Sequence, residues 1–343
     1  MKKLIMYICI NLYTINNIHA MSKKLYNTFQ RTKENIHLLN DRKYLKDYKI
    51  LFIPGYFIGI IPKIMKSLRI PKIYIESFKD QKKYFQSLNI ETEILKTHPL
   101  QTTQYNREII AKYLQSSTKK IIAITHSKGS LELLDTLILY KKLHKKIKGW
   151  IAIQSPFKGT PLMDLAQDNS LSKGILGIIA KYFGGNKKTG ASLTIPKRTA
   201  YLKKYQKQIK NIFKNIPTIT LGTFLKPTYI PSPIDIYKKR ISILNPIIIL
   251  LEQHKNGDKN DGLVPLYSTY ISPNTHMYLP NMDHAATNTD IPLFRSYGKK
   301  QRIILTRILI HTLLDTLSQI KLKSNKSRRK NEQNTKTRRT NVP

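Results

Sequence analysis

Residues 120–130 read KIIAITHSKGS. The apolar run from Ile121 to Ile124 has the composition of a strand buried on both faces. It ends at His126-Ser127, and from Leu131 to Leu143 apolar residues recur at helical spacing. Ser127 therefore stands at a strand-to-helix junction. A nucleophilic serine needs such a sharp turn, with small neighbours that let strand and helix approach, and the usual pattern is G-x-S-x-G. Gly129 supplies the second glycine, while Thr125 stands in place of the first. The helix N-terminus would favour a developing anion there. A serine acting only as a helix N-cap would occupy the same position.

Working outward, short apolar runs alternate with helix-period segments, the pattern of a parallel α/β sheet. The strand candidates are Lys49–Phe57, broken at Pro54-Gly55, then Asn89–Leu95, Lys120–Thr125, Trp150–Gln154, Ile216–Leu221 and His276–Leu279. Helical periodicity runs over Ile73–Leu88, Gln104–Gln115, Leu131–Leu143 and about Gln301–Ile320. Residues 158–215 and 226–258 interrupt the alternation with glycines, Pro-rich turns and apolar runs. They read as insertions that either pack on the core or form a lid facing substrate.

A serine nucleophile also needs a base, a group that orients the base, and an oxyanion hole. On a sheet of this kind the chain order is Ser, then Asp or Glu, then His. Asp261, in the turn NDGLVP (260–265), and His284, in NMDHA (281–285), satisfy that order. Asp258 competes with Asp261, and the two carboxylates together would suit a cation, although two ligands are too few for a Ca²⁺ site. Asp283 is expected to shape the loop of its neighbour. His254 precedes Asp261 and His276 opens a strand, so both are weaker bases. His126 adjoins the serine but is expected to point away from its side chain. For the oxyanion hole the residue after the serine, Lys128, offers its backbone N–H, and the Pro54-Gly55 turn offers that of Tyr56, with Phe57 in reserve. This chemistry requires no cofactor and no metal.

The blocks FIPGYF (52–57), ITHSKGSLELL (124–134), IQSPFKGTPLMD (153–164), NDGLVPLYS (260–268) and MDHAATN (282–288) together resemble the α/β-hydrolase superfamily, and within it bacterial serine lipases and esterases. The resemblance spans about Lys49 to Asp290. It implies a mostly parallel sheet flanked by helices, an ester-cleaving triad, and often a lid over an apolar acyl pocket. Lipases of this kind often carry His-Gly where this chain has Pro54-Gly55, and Gly where it has Thr125. The domain is therefore expected over 48–320, after an N-terminal extension at 21–47. The expected reaction is hydrolysis of a carboxylic ester of lipid type, with transfer of the acyl group to another acceptor as the alternative.

Composition sets the outer limits. The chain has 343 residues, of which 41% are hydrophobic and 23% charged, enough for a buried core. Its single Cys excludes a disulfide scaffold and a Cys-based zinc site. Lys2-Lys3, an apolar run from Leu4 to Ile15 and the small residue Ala20 read as a signal peptide over 1–20, predicting export to the periplasm, the envelope or the medium. The net charge is +40, and +38 once residues 1–20 leave with their two lysines. Such charge favours an anionic membrane surface as a partner. Residues 321–343 are basic and nearly devoid of apolar side chains, so they read as a disordered tail. KSRRK (326–330) resembles a nucleic-acid patch, but the chain carries no recognised nucleic-acid-binding module, and a non-catalytic basic binding protein is the rival reading.

Overall fold

Runs of β-branched residues pair edge to edge in the computed structural model, which describes residues 22–55, 76–167, 190–226, 242, 244–253, 259–272, 275–289 and 298–340. The strands are β1 (Tyr48–Ile53), β2 (Thr92–Ile94), β3 (Lys120–His126), β4 (Ile147–Ile153), β5 (Thr218–Phe224) and β6 (His276–Pro280). They form one sheet in the order β2-β1-β3-β4-β5-β6, with every pair parallel. The six strand candidates each fall on one of these strands. Successive side chains point to opposite faces, so each central strand feeds two cores. Leu51 and Ile53, Ile121 and Ala123, Trp150 and Ala152 pack on one side. Ile50 and Phe52, Ile122 and Ile124, Ile151 and Ile153 pack on the other. Burial on both faces explains why these strands are continuously apolar rather than alternating.

Helices cover both faces. They are α1 (Lys23–Glu34), α2 (Asp41–Leu45), α3 (Lys79–Ser87), α4 (Thr103–Ser116), α5 (Lys128–Leu139), α6 (Pro161–Gln167), α7 (Ile195–Lys204), α8 (Gln206–Asn215), α9 (Asn245–Gln253) and α10 (Lys299–Thr340). The register pairs Ile53 with Thr125, His126 with Ile153, and Ile153 with Leu221. The carboxyl ends of β1, β3 and β4 are therefore level, and β5 extends three residues beyond them, along one edge of the sheet. In parallel sheets that edge is where ligands bind.

The N-terminal extension at 21–47 packs on the domain: Leu25 and Phe29 of α1 are buried in the same core as Ile308 and Leu309 of α10. Asp41 ties the two ends together, its Oδ1 2.7 Å from His311 Nε2 and its Oδ2 accepting from Arg307 Nε and Tyr84 Oη, each at 2.6 Å. Helix α10 runs as far as Thr340 and takes in most of the basic segment 321–343. Extending a helix already formed over its packed first half costs little per residue, and Lys, Arg and Gln are good helix formers. The helix expected over Ile73–Leu88 begins only at Lys79, after Phe78 in a left-handed conformation (φ 60°).

The described parts of both insertions pack on the core, through Leu193, Ile209 and Ile212 in the first and Leu244, Ile247 and Leu251 in the second. Residues 1–20, Tyr56, Phe57, His254 and Asp258 lie outside the described residues. Among those described, no helix is long and apolar enough to cross a membrane.

Candidate active site

Ser127 joins β3 to α5 with φ 53° and ψ −128°, a combination that L side chains rarely adopt. Two hydrogen bonds hold it there: Ser127 N–H donates to the Ile153 carbonyl at 2.9 Å, and Ser130 N–H to the Ser127 carbonyl at 3.1 Å. The hydroxyl does not cap the helix. Ser127 stands at the N-cap position, without a side-chain capping bond to the first turn.

Two glycines make room for the turn. A Cβ on Gly129 would lie 2.5 Å from the carbonyl oxygens of both Ile53 and Pro54, so α5 can start against the end of β1 only with glycine there. A Cβ on Gly55 would lie 2.6 Å from Ser127 Cβ and 3.3 Å from Ser127 Oγ. The chain leaving β1 therefore passes directly against the serine.

Thr125, the departure from the usual pattern, is part of a buried hydroxyl chain. Trp150 Nε1–H donates to Thr125 Oγ1 at 2.8 Å, Thr125 Oγ1 lies 2.6 Å from Ser130 Oγ, and Ser155 Oγ donates to Ser130 Oγ at 2.5 Å. The threonine hydroxyl satisfies an indole N–H that would otherwise be buried without an acceptor. That is a local reason for threonine at this position.

Asp261 follows β5 and His284 follows β6, both completely buried. Asp261 Oδ2 is 2.8 Å from His284 Nδ1. Its Oδ1 accepts the backbone N–H groups of Leu263 and Val264 at 3.0 and 2.8 Å, and His284 N–H donates to the Asp261 carbonyl at 2.9 Å. The carboxylate is thus fixed by its own turn and aimed at one ring nitrogen of His284. The bond to Asp261 fixes the ring orientation of His284 through its Nδ1. Asp283 shapes the loop as expected, its Oδ1 accepting from Ala285 and Ala286 N–H, both at 3.1 Å.

His126 and Gln154 hold that loop from below. His126 Nε2 is 2.9 Å from the His284 carbonyl oxygen and 3.0 Å from Gln154 Oε1. Both partners accept, so Nε2 carries the proton. Burial drives the His126 pKa down to about 3, and the ring is neutral. Gln154 is fully buried with φ 52°. Its amide N–H groups donate to Thr223 Oγ1 and the Asp283 carbonyl, and its Oε1 also accepts from Thr287 Oγ1. One strained glutamine thus joins the ends of β3, β4 and β5 to the His284 loop. Neither residue was assigned a role from the sequence. Their partners lie 28 to 158 residues away, and no local spacing announces such a contact.

Lys128 offers more than its main chain. Its side chain is buried, with Nζ 2.5 Å from Glu132 Oε1 and 3.2 Å from the Pro99 carbonyl. Asn106 Nδ2 donates to the same Glu132 oxygen at 2.6 Å, and burial raises the Glu132 pKa. His276, the weaker base, sits at the amino end of β6, away from the serine edge, stacked on Tyr270 at 4.4 Å between ring centres.

No family model matches the sequence, and no curated protein is recognisably similar to it. The fold does have solved relatives. The metagenomic carboxyl esterase MGS0156 superposes with a TM-score of 0.60 at 17% identity, over 79% of this chain and 76% of the esterase. The mature Bacillus licheniformis lipase BlEst2 gives a TM-score of 0.50 at 18% identity, over 70% of this chain and 85% of the lipase. The chain has the α/β-hydrolase fold.

Proposed function

We propose that this chain is a serine ester hydrolase in which Ser127 is the nucleophile, His284 the general base and Asp261 the group that orients it. The observation that carries the reading is the buried Asp261–His284 hydrogen bond, at 2.8 Å, in a loop whose carbonyl rests on the residue preceding Ser127. Asp-Gly turns and loop histidines are common separately. Their pairing, in a loop held by the residue before a serine at a strained strand-to-helix turn, supports acyl-transfer chemistry. Solved relatives described as a carboxyl esterase and a lipase support the reaction class.

In the proposed cycle Ser127 Oγ attacks the ester carbonyl carbon while His284 Nε2 takes the hydroxyl proton. Asp261 stays ionised and stabilises the imidazolium. The negative charge on the former carbonyl oxygen is met by backbone N–H donors, Lys128 at the start of α5 and Tyr56 after Gly55. Collapse breaks the ester C–O bond, and the leaving alcohol carries off the proton from His284. Water then attacks the acyl-enzyme, gives its proton to His284, and the acid departs as Ser127 is re-protonated. The apolar insertions support an acyl-chain ester as substrate, and the signal-peptide-like start supports action outside the cytoplasm, against anionic membrane surfaces that a +38 chain would approach. No observation favours an acyl acceptor other than water, or a purely binding role.

The test is turnover of p-nitrophenyl esters of graded chain length by wild type, Ser127→Ala and Asp261→Asn. The reading expects turnover by wild type, loss in the serine variant, and a fall of about 10⁴-fold in kcat for the asparagine, by analogy with other triads. No turnover of any ester by folded protein would overturn it.

A further inference from the structure

A cavity of about 580 Å³ lies where α7 and α8 meet the segments around Lys158 and Ile271. That volume falls within the range of small-molecule sites, about 300–1,000 Å³. Its apolar lining comes from Leu202, Ile209, Phe213 and Ile271, and its charge from Lys158, Lys203, Lys210 and Lys214. No Asp or Glu lines it among the described residues.

The amphipathic spacing of α8 produces this arrangement. Ile209 and Ile212 face the core, Phe213 packs on Trp150 at 5.8 Å between ring centres, and Lys210 and Lys214 stand exposed one turn apart. Lys158 is different, because it is half-buried. Its ammonium lies 3.9 Å over the Tyr270 ring, and loss of hydration alone pulls its pKa down to about 8. A poorly hydrated ammonium in a cavity lined by no carboxylate is a standing cost in a folded protein. An anion would remove it.

We infer that this cavity binds a free fatty acid, with the acyl chain along Leu202, Ile209, Phe213 and Ile271 and the carboxylate at Lys158. Apolar walls rimmed by lysines, with no acid among them, match a single-chain amphiphile carrying one negative charge. A concave site of this volume suits one chain and is small for a two-chain phospholipid. The inference is independent of the ester-hydrolase reading, because occupancy does not require Ser127.

The experiment is titration of the full chain carrying Ser127→Ala with laurate, using dodecanol and vesicles of anionic diacyl phospholipid as parallel probes. Laurate is expected to bind saturably, and dodecanol at least tenfold more weakly. Lys158→Met should weaken laurate at least tenfold. The exposed pair Lys210→Glu/Lys214→Glu, which leaves the core untouched, should weaken it several-fold. Equal affinity for dodecanol would mean an apolar groove without anion recognition and would overturn the inference. So would binding of vesicles but not of laurate, or laurate binding unchanged in both variants. Failure of ester turnover would leave this result standing, and the two readings fail separately.

Discussion

His126 Nε2 donates to the backbone carbonyl of His284 at 2.9 Å, so the residue before the proposed nucleophile carries the loop of the proposed base. Both rings are buried, 4.7 Å apart between centres. The elbow and the His284 loop come from opposite halves of the chain, and His126, with Gln154, sets their relative position.

Replacing either polar anchor should therefore damage turnover more than substrate binding. We expect His126→Phe and Gln154→Leu to lower kcat by at least tenfold with KM nearly unchanged, since small misplacements of reacting groups are expensive. A His126→Gln variant, which keeps a donor, should recover part of the loss. Steady-state kinetics beside circular dichroism checks this, and a fall in stability without a kcat effect would make the pair merely structural.

The two glycines should fail in different ways. Gly129→Ala forces a methyl against two backbone oxygens and is expected to cost about 1–3 kcal/mol or more of stability. Gly55→Ala meets the Ser127 side chain as well as the His126 carbonyl oxygen, and the larger effect should be on kcat, on the order of 10²-fold. Urea unfolding and ester turnover on both variants separate the two outcomes.

Lys128→Met leaves the Glu132 carboxyl buried without its cation, and such breakage costs about 3–5 kcal/mol. The double variant Lys128→Met/Glu132→Leu should regain most of that. Because the oxyanion role belongs to the backbone, the double variant is expected to retain most of its turnover. Denaturation midpoints and kcat report the two effects independently.

Acid should loosen the fold before carboxylates titrate. His126 and His276 are both held near pKa 3 by burial, against 6.5 in the unfolded chain. Between those values the unfolded state binds more protons, so stability falls as pH drops from about 6.5 toward 3. Each group adds at most about 1.4 kcal/mol per pH unit to the slope. Tm measured across that window should decline steeply in wild type and less steeply in His276→Gln.

Much of this was legible in the chain itself. The strands announce themselves because burial on both faces demands unbroken apolar runs, and the Asp261–His284 pair could be picked out because acids and histidines are scarce downstream of the elbow. Lys128 and Glu132 stand four apart in KGSLE, a helical spacing that signals a pair, yet nothing local reveals that the pair is buried. Asp41 reads as a helix-start residue, and its bond to His311 spans 270 residues. Gln154 looks like a strand end, and its positive φ and four bonds exist only once β5 and the His284 loop close over it. Contacts of that range are set by packing, which periodicity does not encode.

The most direct test of the central claim is labelling with a fluorophosphonate, followed by mass analysis of the modified peptide. The account predicts a single phosphonyl adduct on Ser127 in the wild type, greatly slowed in His284→Ala and absent from Ser127→Ala. A folded wild type that stays unlabelled in detergent and on anionic vesicles, or a label that persists in Ser127→Ala, would contradict it.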